Sequence, residues 1–99
     1  MYTYYVIYRT EDRTTPTGVF VRQQGEGHDL IWDHRAKAWV YDPDLVARFL
    51  GNYDNEDRYR EVDRETAERI TPAVTGGEGL PGEETIAWIF SREGRPPPD

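Results

Sequence analysis

Large aliphatic side chains are scarce in this sequence, and this scarcity limits the folds open to it more than any other feature. Leu, Ile, Val and Phe together number 19 among 99 residues, a content close to that of disordered chains. Thirteen aromatic residues offset the shortage, because each buried Trp or Tyr removes about 150–250 Å² from water. We therefore expect one compact domain over residues 1–93 with a largely aromatic core. Residues 94–99, with three consecutive prolines, are expected to form a disordered tail.

The charge balance excludes several classes of function. Nineteen acidic and twelve basic residues give a net charge of −7, whereas nucleic-acid binding requires a basic surface and anionic membranes repel an acidic one. No apolar run approaches the length of about 18 residues that spans a membrane, and the N-terminus lacks the pattern of a signal peptide. The absence of Cys excludes disulfides and thiolate metal sites. These features predict a cytoplasmic protein.

Alternating side chains predict an antiparallel sheet. Residues 2–9 carry apolar side chains on both faces, which indicates a central strand covered on both sides. The same criteria predict further strands at residues 18–22, 29–33 and 38–41, with a tight turn between the third and fourth strands, and a short extended segment at residues 59–62. The first four strands are expected to form a meander.

Two helices have clear capping signals. Asp42 suits an N-cap and Pro43 the first helical position, while Gly51 suits the end of that helix. Asp63 caps a second helix, which we expect to end at Ile70 because Thr71-Pro72 follows.

Residues 83–92 predict a third helix, because acidic residues fill its first turn and apolar residues recur at helical spacing. A strand over residues 84–90 is the alternative, since Thr, Ile, Trp and Phe all favour strands. The sequence thus predicts an α+β fold, in which a small antiparallel sheet of three to five strands packs with two or three short helices.

Two clusters of polar residues fail the tests for chemistry. The first contains His28, Asp29, Asp33 and His34, but an extended strand separates the two His residues by roughly 20 Å. We expect solvated turn residues there, with Asp33 capping a turn. The second, residues 54–57, lacks the glycine and the alternating oxygens of a calcium loop. We therefore assign no catalytic, cofactor-binding or metal-binding residue.

Two blocks of sequence carry a resemblance. Ile31-Trp32-Asp33 and residues 38–45 are followed by Tyr59-Arg60-Glu61-Val62-Asp63 and then Thr66-Ala67. Over residues 18–70 this pattern resembles small uncharacterised domains of high-GC bacteria, in which a Trp-Val strand leads into a short helix. The resemblance implies a compact α+β fold, implies no activity and identifies no functional residue.

The acidic second half of the chain predicts a non-enzymatic interaction or regulatory module that binds a basic surface on another protein. The expected contact residues are Asp54, Glu56, Asp57, Glu61, Glu65 and Glu68. An inhibitor or immunity-type protein against a basic toxin or nuclease is one version of this hypothesis.

Two other hypotheses remain open. One is a small enzyme or ligand-binding domain with a pocket near His28, His34 and Trp39, and the other is an acidic surface that serves only solubility.

Among the aromatic residues, Tyr2 and Tyr53 are expected at the surface, and the core is expected to contain Trp32, Phe49 and Phe90.

Overall fold

A computed structural model describes residues 2–23 and 25–93, in which a five-stranded antiparallel sheet packs with helices. The strands are β1 (Tyr2–Tyr8), β2 (Pro16–Gln23), β3 (His28–Asp33), β4 (Ala38–Tyr41) and β5 (Tyr59–Val62). The helices are α1 (Pro43–Leu50), a 3₁₀ helix (Tyr53–Arg58), α2 (Arg64–Thr75) and α3 (Glu83–Glu93). This arrangement confirms the predicted α+β class.

The strand order is β4-β3-β2-β1-β5, so the first four strands form the predicted meander and β5 joins on the far side of β1. The middle strand is therefore β2, and β1, predicted to be central, is an interior strand one place from the middle, paired with β2 and β5. The pattern of β1 was informative about burial, because Val6 is buried on one face and Ile7 packs on the other. Apolar residues on both faces show that a strand is covered, and do not specify how many neighbours lie on each side.

Helices cover both faces of the sheet. On one face α2 and α3 pack against a cluster of Tyr4, Val21, Leu30, Ala67, Ile86 and Phe90. On the other face α1 packs against the sheet through Val46, which joins Phe20 and Ile31. Three layers thus bury the small sheet. Most of the buried hydrophobic residues in the described chain are aliphatic and five are aromatic, namely Tyr4, Tyr8, Phe20, Trp32 and Phe90, so the core is less aromatic than predicted.

The capping signals place α1 correctly. The Asp42 carboxylate accepts a hydrogen bond from the Leu45 amide at 3.1 Å, and Pro43 is the first helical residue. Gly51 follows the last residue of the helix and its amide donates to the Ala47 carbonyl.

Residues 83–93 form a helix, so the strand alternative there is wrong.

The second helix extends past its predicted end. It continues through Pro72 to Thr75, and the amides of Gly76 and Gly77 both donate to the Pro72 carbonyl. Pro72 is exposed, while Val74 is buried against the sheet. Burial of Val74 and a left-handed glycine cap at position 76 outweigh the cost of a proline inside a helix.

The aromatic assignments are confirmed in part. Trp32 and Phe90 are buried and Phe49 is half-buried against Phe20, with ring centroids 6.3 Å apart. Tyr53 is exposed as predicted, but Tyr2 is half-buried because its ring packs edge-on against Phe90.

No helix in the described part of the chain combines the length and the apolar character that crossing a membrane requires. The predicted disordered tail, residues 94–99, lies outside the described residues.

Candidate interaction surface

The 3₁₀ helix between α1 and β5 is held by asparagine side chains at its start. The Asn52 side-chain oxygen accepts from the Asp54 amide at 3.0 Å and so caps the first turn. The Asn55 side-chain nitrogen donates to the Phe49 carbonyl at the end of α1, at 3.1 Å. Neither bond uses a carboxylate as its acceptor, so the acidic side chains of the segment remain directed to solvent.

Two arginines fix the other end of the 3₁₀ helix through main-chain oxygens. Arg58 Nε donates to the Tyr8 carbonyl at 3.3 Å, which ties the segment to the end of β1. Arg13, in the loop between β1 and β2, donates from Nε to the Asp57 carbonyl at 3.0 Å. Arg58 also donates from Nη1 to the Asn55 side-chain oxygen at 3.3 Å, and among the described residues neither arginine forms an ion pair with a carboxylate.

Tyr53 separates two surface grooves. The residue is 89% exposed, the highest exposure among the large hydrophobic residues described. One groove, of about 330 Å³, is lined by Leu50, Gly51, Asn52, Tyr53, Glu56 and Tyr59. The other, of about 480 Å³, is lined by Thr10, Glu11, Tyr53, Asp54, Asp57 and Arg58. A side chain entering either groove would therefore contact the Tyr53 ring and at least one carboxylate.

The carboxylates around Tyr53 are exposed and unpaired. Within the described residues no cationic nitrogen lies within 4.0 Å of the carboxylates of Glu11, Asp54, Glu56 or Asp57. We call these four residues and Tyr53 the Tyr53 surface. Nearby, hydrogen bonds from Thr10 and Thr14 lower the pKa of Asp12 below its usual range, so this loop adds another fixed negative charge.

The structure divides the six predicted acidic contact residues among different elements. Asp54, Glu56 and Asp57 lie together on the 3₁₀ helix. Glu61, on β5, pairs with Tyr5 and therefore points to the face covered by α1. The remaining two, Glu65 and Glu68, lie on α2, which packs on the opposite face of the sheet.

Two details of the site were not foreseen. Glu68 forms an ion pair with Arg64 at 2.8 Å, so its charge is partly neutralised. Glu11 joins the acidic residues of the 3₁₀ helix although more than forty positions separate them in the chain. No local sequence pattern signals such a contact, because it depends on how β1 and β5 pair.

The residues of the alternative pocket do not come together. His28 begins β3, where its Nδ1 lies 2.8 Å from the Tyr41 hydroxyl and its ring stacks on Phe90. His34 follows the other end of β3, with Nε2 2.7 Å from the Thr17 carbonyl oxygen. Trp39 packs edge-on against Trp32, and its indole N–H is buried without a hydrogen-bond partner among the described residues. The two His residues therefore cannot line one pocket.

Asp29 departs from the expectation of solvated turn residues, whereas Asp33 follows it. The Asp33 carboxylate accepts from the amides of Arg35 and Ala36 at 2.8 and 3.1 Å and caps the turn before β4. Asp29 is buried beside Arg22, with Arg22 Nε 2.8 Å from the carboxylate. The register pairs these two residues across β2 and β3, which the sequence spacing alone did not reveal.

Over residues 2–23 and 25–93, no group of three or more His, Cys, Asp or Glu side chains is arranged to hold a metal ion. Comparisons with protein-family models, curated proteins and solved structures found no match to this chain. The case for function therefore depends on the surface just described.

Proposed function

We propose that this chain is a non-enzymatic interaction module that binds a basic segment of another protein through the Tyr53 surface. The observation that carries the proposal is the position of Tyr53, which stands almost fully exposed between two grooves lined by unpaired carboxylates. Exposed tyrosines are enriched where proteins bind one another. Carboxylates around such a ring attract a cationic partner and accelerate its association.

The anchoring of the 3₁₀ helix supports this function. Its backbone is tied to α1 through Asn55 and to β1 through Arg58, so the acidic side chains are presented from a fixed base. A surface that is ordered before binding loses less conformational entropy on association. An inhibitor that covers a basic site on its target is one form that such a module would take.

An arginine-rich peptide tests the proposal directly. We would titrate the ¹⁵N-labelled protein with a capped peptide of alternating Gly and Arg and follow the backbone amide shifts. The shifts should be largest at the Tyr53 surface. The double variant Asp54→Asn with Asp57→Asn should bind about fivefold more weakly, because two screened charge contacts are lost.

A matched variant separates local contacts from net charge. Glu78→Gln with Glu84→Gln removes the same two charges from exposed positions in the α2–α3 connection and α3, and it should leave the affinity nearly unchanged. Equal weakening by both double variants would show that only the net charge attracts the peptide, and the proposal would then be wrong. Glu65→Gln tests whether the acidic surface on α2 contributes.

A further inference from the structure

The two edges of the sheet differ in a way that bears on self-association. An edge strand presents unpaired main-chain N–H and C=O groups, which form a template for another strand. At one edge β5 has the sequence Tyr-Arg-Glu-Val, with two exposed charged residues at its centre. At the other edge β4 has the sequence Ala-Trp-Val-Tyr and carries no charge.

Pairing of β5 with a second β5 is disfavoured by its charges. A two-fold axis perpendicular to an antiparallel pair places one residue opposite its own copy, so the register is centred on a single position. Centring on Arg60 opposes two arginines, and centring on Glu61 opposes two glutamates. Like charges directly opposite destabilise a strand pair, so this edge is protected against dimerisation.

The main chain of β4 has groups available for pairing. The Asp42 amide donates to the Asp29 carbonyl at 3.1 Å, and the same register pairs Val40 with Ile31 and Ala38 with Asp33. Hydrogen-bonded pairs alternate along an antiparallel ladder. The N–H and C=O groups of Trp39 and Tyr41 therefore point away from β3, in the plane of the sheet and past its edge. Within the described chain, no turn, loop or side chain bonds to these groups.

The two ends of β4 carry opposite charges. The turn before it is basic, with Arg35 and Lys37 exposed. The start of α1 after it is acidic, through Asp42 and the exposed Asp44. An antiparallel copy of β4 would bring the basic end of each strand beside the acidic end of the other, twice in one dimer.

From this pattern we infer that a second copy of this chain docks on β4, and that the two sheets join into one of ten strands. The register is centred on Val40, because Trp39 then exchanges main-chain hydrogen bonds with Tyr41 of the second copy. Lys37 lies beside Asp42 and Asp44 of that copy. The same register places the Trp39 and Tyr41 rings of the two copies opposite each other, and such aromatic cross-strand pairs stabilise a sheet.

The expected contact between the two copies is small. Four strand residues with the flanking turns bury less than the 1,200–2,000 Å² or so of a standard interface. The dimer is therefore expected to dissociate on the order of 100 µM, which is typical of a weak, concentration-dependent association.

Sedimentation equilibrium between about 10 µM and 1 mM tests this dimer. Lys37→Glu and Asp44→Lys should each weaken dimerisation at least about tenfold, because each turns two attractive contacts into repulsive ones. An equimolar mixture of the two variants should recover dimers, since each altered residue then faces an opposite charge. Recovery in the mixture shows that both variants are folded.

A control at the other edge completes the test. Arg60→Glu alters a charge on β5 and should leave the dissociation constant of the dimer unchanged. A wild-type chain that stays monomeric at 1 mM would overturn the inference. So would a dimer that Lys37→Glu and Asp44→Lys leave intact, or a mixture of the two that fails to associate.

Discussion

Asp29 is an acidic side chain buried beneath α1, and its charge has a measurable cost. The residue is 1% exposed, and Arg22, whose side chain is one-third exposed, contacts it through Nε. Burial raises the pKa of the Asp29 carboxyl, and the charge of Arg22 acts in the opposite direction without cancelling the effect. The folded protein therefore binds a proton at Asp29 more tightly than the unfolded chain does.

This pKa shift predicts how stability depends on pH. Ionisation of Asp29 destabilises the folded state as the pH rises through the raised pKa, so wild type should gain stability relative to Asp29→Asn as the pH falls. The slope of that difference should reach at most about 1.4 kcal/mol per pH unit. Urea denaturation of both proteins from pH 7 to pH 4 measures it. A difference that stays constant or shrinks on acidification would contradict the assignment.

Lys37 adopts a backbone conformation that favours glycine. Its φ of 52° lies in the left-handed region, where a side chain costs about 1 kcal/mol. We expect Lys37→Gly to stabilise the protein by up to about 1 kcal/mol, measured by urea denaturation near 5 µM to avoid self-association. Arg35→Gly, in the same turn but without a positive φ, is the control and should not stabilise.

At the scale of elements, Arg64 connects three parts of the fold. From the first turn of α2 its guanidinium donates to the Tyr4 hydroxyl on β1 at 2.7 Å and to the Pro81 carbonyl at 2.9 Å. Nε donates to Glu68 one turn further along α2, at 2.8 Å. The planar guanidinium makes these bonds from three separate nitrogen atoms, whereas the three donors of an ammonium group all leave a single nitrogen.

Replacing Arg64 should therefore loosen the segment before α3. Arg64→Lys is expected to lower the free energy of unfolding by about 1.5–3 kcal/mol, the range for hydrogen bonds to charged groups. Glu68→Gln should cost less than about 0.5 kcal/mol, because Glu68 is more than half exposed. Equal losses in the two variants would show that the Glu68 contact alone matters.

Sequence rules that depend on neighbouring residues predicted the helices and strands well where a capping residue or an alternating apolar pattern defines the element. Asp42, Pro43 and Gly51 placed α1 because capping depends on groups within one turn. The end of α2 could not be predicted in this way, because burial of Val74 against the sheet is a tertiary contact. The candidate site was likewise found only in its local part, the acidic 3₁₀ helix. Its groove with Glu11 depends on the pairing of distant strands.

For the whole molecule, we expect folding without a metal ion. The side chains described form no group of metal ligands, so 5 mM EDTA should change the Tm by less than about 1 °C. Thermal unfolding followed by Trp fluorescence, with and without EDTA, measures this. A fall of several degrees that added Zn²⁺ or Ca²⁺ reverses would show that a metal stabilises the native state.

The strand order has a consequence for how the chain folds and opens. Tyr4 pairs with Val62, which lies 58 positions later in the chain, whereas β1 through β4 join successive neighbours. Contacts between distant residues carry a larger loop-closure entropy and form slowly. We expect the four-stranded meander to assemble first and β5 to dock last. In native-state hydrogen exchange, the amides of β5 should therefore open at a lower free energy than those of β2.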